Sequence, residues 1–278
     1  MARARIFPRT SRQVLTRTGG YLAGYTHSLQ PYVGCEFSCR YCYVREMTVQ
    51  RANPYRLPWS EWVSPKTNVV DRLRAQARRG TLAKARIFMS SSTDPYTPLE
   101  RKLRLTRGLL EVMNEHPPEA LVVQTRSPLV LRDIDLLVGL PTVGVSVTVT
   151  TDDERVRRVF EPDSPRVARR IEVLAALRAA GIPTQAAVSP ILPCDPERLA
   201  EVLAPVADRV VVDDMGRGDG AGGTRSRTAL AELERLGHAD WTRPAAADAA
   251  LATLERALGP ERVVFSRAGF NQLVGWLA

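Results

Sequence analysis

Short runs of apolar, mostly β-branched residues alternate with amphipathic helical patterns along most of this chain, and that alternation limits the fold more than any other feature. Parallel strands need a long crossover between them, usually a helix, and strands buried on both faces read as continuous apolar runs. Six such runs are expected strands: residues 28–33, 85–90, 120–125, 143–149, 183–188 and 209–213. Residues 166–180 read as a helix that stops where Gly181 and Pro183 end it. The expectation is a mostly parallel α/β sheet, and in such folds ligands gather beyond the carboxyl ends of the strands. At 278 residues the chain suffices for one large α/β domain or two ordinary ones.

The loop expected after the first strand holds three of the four cysteines, Cys35, Cys39 and Cys42, spaced x3 and x2 and interleaved with Tyr41 and Tyr43. Three thiolates at this spacing can ligate three irons of a four-iron cluster, leaving the fourth iron open to a substrate or cofactor. The alternative is a zinc site completed by His27, His116 or His238, none of which stands at the short pair spacing of zinc modules. Such clustering does not look like a disulfide framework, so a reducing, cytoplasmic setting is expected. The sequence has no apolar run of signal-peptide length near Met1 and nowhere eighteen consecutive apolar residues, so secretion and membrane spanning are not expected.

Residues after the other strands are the next candidates. Ser91, Ser92 and Asp94 lie in a hydroxyl-rich run suited to a zwitterionic ligand, although the same run also reads as a Ser/Thr or Asx turn capping a helix. Arg126 follows the third strand, where a guanidinium can pair with a carboxylate or phosphate. Ser146, Thr148 and Thr150 alternate on the fourth and share one face, which fits a ribose contact or simply the strand propensity of threonine. Cys194 follows the fifth strand and is expected at the same mouth, as a hydrogen donor, a sulfur site or an inert thiol. A net charge of +9, from 39 basic and 30 acidic residues, is spread over helical faces, and no compact basic tract interleaved with aromatics points to nucleic acid. The glycine-dense stretch 215–224 is not a Walker loop; it is followed by helices near 229–236 and 245–258 and a short strand, 262–265, in a tail expected to close one end of the fold.

The cysteine spacing, with Tyr41 just before the last cysteine, resembles the signature of the radical S-adenosylmethionine (radical SAM) superfamily. Together with residues 92–100, 124–133 and 160–165 it is similar to the spore photoproduct lyase-like branch, over roughly residues 25–215. The resemblance implies a partial (β/α)6 TIM-like barrel, with core 26–215, an N-terminal extension 1–25 and a C-terminal extension 216–278. It implies a [4Fe-4S] cluster on Cys35, Cys39 and Cys42, and S-adenosylmethionine bound to the open iron and cleaved reductively to methionine and a 5′-deoxyadenosyl radical. It places Tyr41, Tyr43, Ser91 or Ser92, Asp94, Arg126 and Ser146 at the cofactor. It also implies a reductant such as flavodoxin or ferredoxin, and a small-molecule or nucleotide-like substrate. Two departures stand out: Arg126 replaces a common lysine, and the loop from Met89 to Thr93 lacks the cysteine that donates hydrogen in true spore photoproduct lyases, leaving Cys194 as the spare thiol.

Overall fold

The computed structural model describes residues 4–218, 220–272 and 276–277. Its strands in chain order are β1 (Arg5–Ile6), β2 (Leu15–Arg17), β3 (His27–Leu29), β4 (Tyr32–Gly34), β5 (Trp62–Pro65), β6 (Arg86–Met89), β7 (Ala120–Thr125), β8 (Val143–Thr148), β9 (Thr184–Val188), β10 (Arg209–Val212) and β11 (Val263–Phe265). Eight of them form one curved sheet in the order β11-β10-β9-β8-β7-β6-β3-β2, parallel throughout except for the antiparallel edge pair β2–β3. This is a partial, TIM-like (β/α) barrel.

The alternation of side chains along each strand separates two surfaces. Ile87 and Met89, Leu121 and Val123, Val145 and Val147, Ala186 and Val188, and Val210 and Val212 face outward into one core with the crossover helices. Helix Val69–Ala77 shows how those helices dock: Val69, Leu73 and Ala77 recur every four residues and are buried, while the arginines between them face water. Helices Leu105–Glu115 and Val167–Ala179 bury leucine- and valine-containing faces in the same way, and Pro196–Leu203 and Pro244–Leu258 bury faces of leucine and alanine.

The inner surface is more polar. Phe88 and Val122 pack there with Trp276, and the Cβ that Gly144 lacks would lie 3.0 Å from the Trp276 ring, so this glycine makes room for the indole. Beyond that apolar plug the strands turn Gln124, Ser146, Thr148 and Gln185 inward. Gln185 Nε2 donates to Ser146 Oγ at 2.9 Å, and Gln124 Nε2 donates to Thr148 Oγ1 at 2.9 Å.

The open side of the barrel is bridged by segments distant in sequence. The turn Gly20–Leu22 packs on helix Ser266–Asn271: Gly24 N donates to Asn271 Oδ1 at 2.6 Å, and Asn271 Nδ2 donates to Tyr21 O at 3.0 Å. A Cβ on Gly24 would come within 2.4 Å of the Asn271 carbonyl, so only glycine permits the approach.

The first expected strand, 28–33, divides in two. Residues 27–29 join the large sheet as β3, and the chain leaves it at Pro31, which has no N–H to give a ladder. Tyr32–Gly34 then pairs antiparallel with β5 in a separate sheet of order β1-β5-β4. Near the other edge, the short tail strand joins the barrel sheet parallel to β10.

Candidate active site

Gly34 ends β4 with a φ of +83°, and its missing Cβ would lie 2.4 Å from the Trp62 carbonyl. This glycine turn delivers the cysteine loop to the carboxyl ends of the barrel strands. There, Cys35, Cys39 and Cys42 line a cavity of about 380 Å³ with Ser90 to Asp94 after β6, Gln124 to Arg126 from β7, Thr148 from β8, Ser189 after β9 and Asp214 after β10. All three cysteines are free thiols, Cys39 buried and the others half-buried. Burial raises the pKa of each, Cys42 to about 11, and proximity adds to it, because the charge of Cys39 raises both Cys35 and Cys42. Three thiols that resist ionisation unaided, gathered on one wall, suit a cation that deprotonates its ligands as it binds. Among the described residues, no three His, Cys, Asp or Glu side chains are grouped so as to hold a single metal ion.

The loop after β6 is fastened to the cysteine loop. Tyr43 OH donates to Ser91 O at 2.6 Å, Thr93 Oγ1 to Gly34 O at 2.5 Å, and Thr97 Oγ1 to Glu36 Oε2 at 2.6 Å. Ser91 Oγ accepts from Gln30 Nε2 at 2.9 Å. Ser90 is buried with a φ of +76°, a region a non-glycine residue seldom occupies, and its hydroxyl has no partner among the described residues.

Behind the wall lies an ionic group. Tyr41 OH donates to the Glu161 carboxylate, and Arg126 Nη1 donates to Glu161 Oε1 at 2.7 Å and to Tyr41 OH at 2.9 Å. Arg170 Nη2 stands 2.5 Å from Glu161 Oε2, while its Nη1 donates to Thr148 O at 3.2 Å. Burial alone would raise the Glu161 carboxyl, but Arg170 and Arg126 outweigh it and hold the pKa near 2.

A family model described as the radical SAM superfamily matches residues 29–203. The chain belongs to the radical SAM superfamily. Enzymes of that superfamily use a [4Fe-4S] cluster and S-adenosylmethionine. An uncharacterised protein of Methanocaldococcus jannaschii is 33% identical over 173 residues, 62% of each chain, so less than two thirds of that relative's length is matched. In fold, a spore photoproduct lyase variant superposes with a TM-score of 0.60 at 14% identity, over 94% of this chain and 82% of that one. Another, described with bound AdoMet and dinucleoside spore photoproduct, superposes at 0.55 and 16% identity, over 75% of this chain and 61% of that one. No helix among the described residues is long and apolar enough to cross a membrane.

The radical SAM barrel brings together most of the residues singled out in the sequence: Cys35, Cys39, Cys42, Tyr41, Tyr43, Ser91, Ser92, Asp94 and Arg126 all line the cavity. Asp94 and Arg126 face it with part of their bonding already used. Asp94 accepts from Thr125 Oγ1 at 2.7 Å, Arg126 N at 2.9 Å and Tyr96 N at 2.8 Å, which makes it the brace between two loops.

Two residues stand apart. Ser146 is fully buried, is not a cavity-lining residue and bonds Gln185, so Thr148 is the β8 hydroxyl that reaches the cavity. Cys194 does not line the cavity either, contrary to its expected place at the mouth. After Ser189 and Pro190 the backbone is held by Ile191 N to Asp213 O at 2.7 Å and Leu192 N to Thr150 O at 2.9 Å. It then turns outward to helix Pro196–Leu203, whose N-cap Asp195 is the next residue after Cys194. Cys194 therefore packs beside the outer core, and burial, then Asp152 and Asp195, push its thiol up to about 12.

Ser90, Gln124, Glu161 and Arg170 were not singled out from sequence. Inward alternation on β7 offers a signal for Gln124; Glu161 and Arg170 become legible only when helices Glu154–Phe160 and Val167–Ala179 are brought against the cysteine loop.

Proposed function

We propose that Cys35, Cys39 and Cys42 hold the cluster, and that the cavity beside them receives S-adenosylmethionine and an organic substrate. The observation that carries this reading is the convergence of the three thiols on one cavity with the Ser90 to Asp94 loop and Arg126. Together, cluster and cofactor supply a 5′-deoxyadenosyl radical for hydrogen abstraction. The chain's own part is placement and shielding. Ser91 and Ser92 offer hydroxyls to the amino-acid end of the cofactor, Tyr43 fixes their loop, Thr148 offers a hydroxyl inside the barrel, and Met47, Trp59 and Met215 form an apolar wall that limits water.

The substrate is proposed to be a small or nucleotide-like molecule, because a cavity of about 380 Å³ within the barrel suits a compact reacting part. Repair of a DNA photolesion with a loop cysteine as donor is not proposed, since the β6 loop carries serines where that thiol would stand. Residues 26–215 are proposed as the catalytic core, flanked by 1–25 and 216–278; residues 1–3, 219, 273–275 and 278 of these flanks lie outside the described residues. Four free thiols suit a reducing cytoplasm, and a flavodoxin or ferredoxin is the proposed electron donor.

The test is anaerobic reconstitution with iron and sulfide, reduction by dithionite with S-adenosylmethionine present, and chromatography of 5′-deoxyadenosine. Four irons per chain and cleavage that disappears in Cys35→Ala, Cys39→Ala and Cys42→Ala support the reading. Zinc with no bound sulfide, or normal iron content in the three variants, overturns it.

A further inference from the structure

Glu161 belongs to no strand; it is the residue that caps the helix Glu154–Phe160, and it is fully buried. Each of the three side chains that meet its carboxylate comes from a different part of the site. Tyr41 stands between Cys39 and Cys42, Arg126 lines the cavity, and Arg170 is anchored to β8 through the Thr148 carbonyl and to the Pro165 carbonyl at 3.0 Å. The cysteine loop is held to this helix a second time, by Arg40 N donating to Phe160 O at 2.8 Å.

Two guanidiniums and one carboxylate leave one positive charge in excess among these three side chains. Arg170 and Glu161 are fully buried, so water screens their charges poorly. A tyrosine alone would have been anchored by one neutral partner; a buried ion triad brings a desolvation cost that a purely structural anchor does not require.

We infer that Glu161 is a positioning residue which, by fixing Arg126 and Tyr41 beside Cys39, sets the reduction potential of the iron–sulfur cluster. The inference rests on the cysteine assignment proposed above. Reduction adds one negative charge to the cluster, so nearby positive charge favours the reduced state and nearby negative charge opposes it. Glu161 and Arg126 therefore pull the potential in opposite directions, and neutralising each shifts it with opposite sign.

The experiment is a potentiometric titration of the reconstituted full chain, followed by the electron paramagnetic resonance signal of the reduced cluster, for wild type, Glu161→Gln, Arg126→Gln and Arg126→Lys. Glu161→Gln keeps the shape and removes the negative charge; its potential is expected to rise. Arg126→Gln is expected to lower it, each by a change on the order of tenfold in the reduction equilibrium, about 59 mV for a one-electron couple. Arg126→Lys restores most of the lost shift, because it restores the charge. Potentials that stay together, or that move in one direction for both neutral variants, overturn the inference while leaving the cysteine assignment intact. If Glu161→Gln does not fold, the Arg126→Gln and Arg126→Lys pair decides: a potential that Arg126→Gln leaves unchanged, or that Arg126→Lys does not restore, removes the charge through which Glu161 acts and overturns the inference. A wild-type chain that assembles no four-iron cluster overturns the assignment first and the inference with it.

Discussion

Gln124 Nε2 donates to Thr148 Oγ1 at 2.9 Å across β7 and β8, and this bond leaves the Gln124 amide oxygen at the cavity without a donor among the described residues. A buried acceptor left unsatisfied costs about 1–3 kcal/mol. The ligand-free chain therefore carries this cost, and a bound molecule bringing an N–H or O–H relieves it. Gln124→Met should raise the stability of the cofactor-free chain by about 1 kcal/mol. The check is thermal melting without cofactor; a lower melting temperature would show that the amide is satisfied in the resting protein.

Asp213 gives a pH dependence of definite sign. It is fully buried at the end of β10, where Tyr21 OH donates to its Oδ2 and Asp214 N to its Oδ1 at 2.9 Å; Asp214 and Arg217 are the charged groups nearby. Burial, chiefly, pushes its pKa from 3.8 up to about 7. The folded carboxyl thus binds a proton more tightly than the unfolded one, so the contribution to stability is complete below about pH 4 and is lost as pH rises to about 7. Asp213→Asn should remove that slope. Chemical denaturation of both proteins between pH 4 and pH 8 checks this, and parallel profiles would contradict it.

Arg170 is buried against Glu161, and removing it leaves the buried carboxylate with Arg126 as its one remaining guanidinium, at a cost of up to about 3–5 kcal/mol. Arg170→Met should destabilise the chain by that order. Pairing it with Glu161→Gln should recover part of the loss, since the carboxylate that lost one of its two guanidiniums is then neutral, while Arg126 is left with an amide in place of its ion partner. A double-mutant cycle read by urea denaturation measures the coupling.

Cys194 is expected to behave as a small packed side chain. Cys194→Ala should retain full iron content and 5′-deoxyadenosine formation, and should lower stability by about 1 kcal/mol through lost packing. Iron analysis and melting check both points; loss of iron would return this thiol to the site from which its backbone path removes it.

The repeat of strand and helix was legible because it depends on local periodicity, and the tight spacing of Cys35, Cys39 and Cys42 exposed the cysteine loop that lines the cavity. The division of the first strand at Pro31 was less visible, because the choice of sheet for Tyr32–Gly34 is settled by pairing with Trp62–Pro65, some thirty residues on. Cys194 misled for a related reason. Its position after a strand is a local fact, whereas its direction depends on where Ile191 and Leu192 find backbone partners, Asp213 just beyond β10 and Thr150 just beyond β8. Glu161 stands within the 160–165 motif, but its role, like that of Arg170, was hidden, since it lies in the charges that distant segments bring together.

The bridge across the open side of the barrel also constrains the order of assembly. Asn271 holds Tyr21 and Gly24 across a separation of about 250 positions, among the longest-range contacts in the chain. A protein synthesised from its amino end completes the cysteine loop long before Asn271 exists. Until then, the segment carrying Tyr21 lacks the partner that holds its backbone, although Asp213 can already accept from the Tyr21 hydroxyl, and the cavity lacks part of its wall. Biogenesis thus has a built-in interval in which Cys35, Cys39 and Cys42 have been made while the cavity they line is still unfinished.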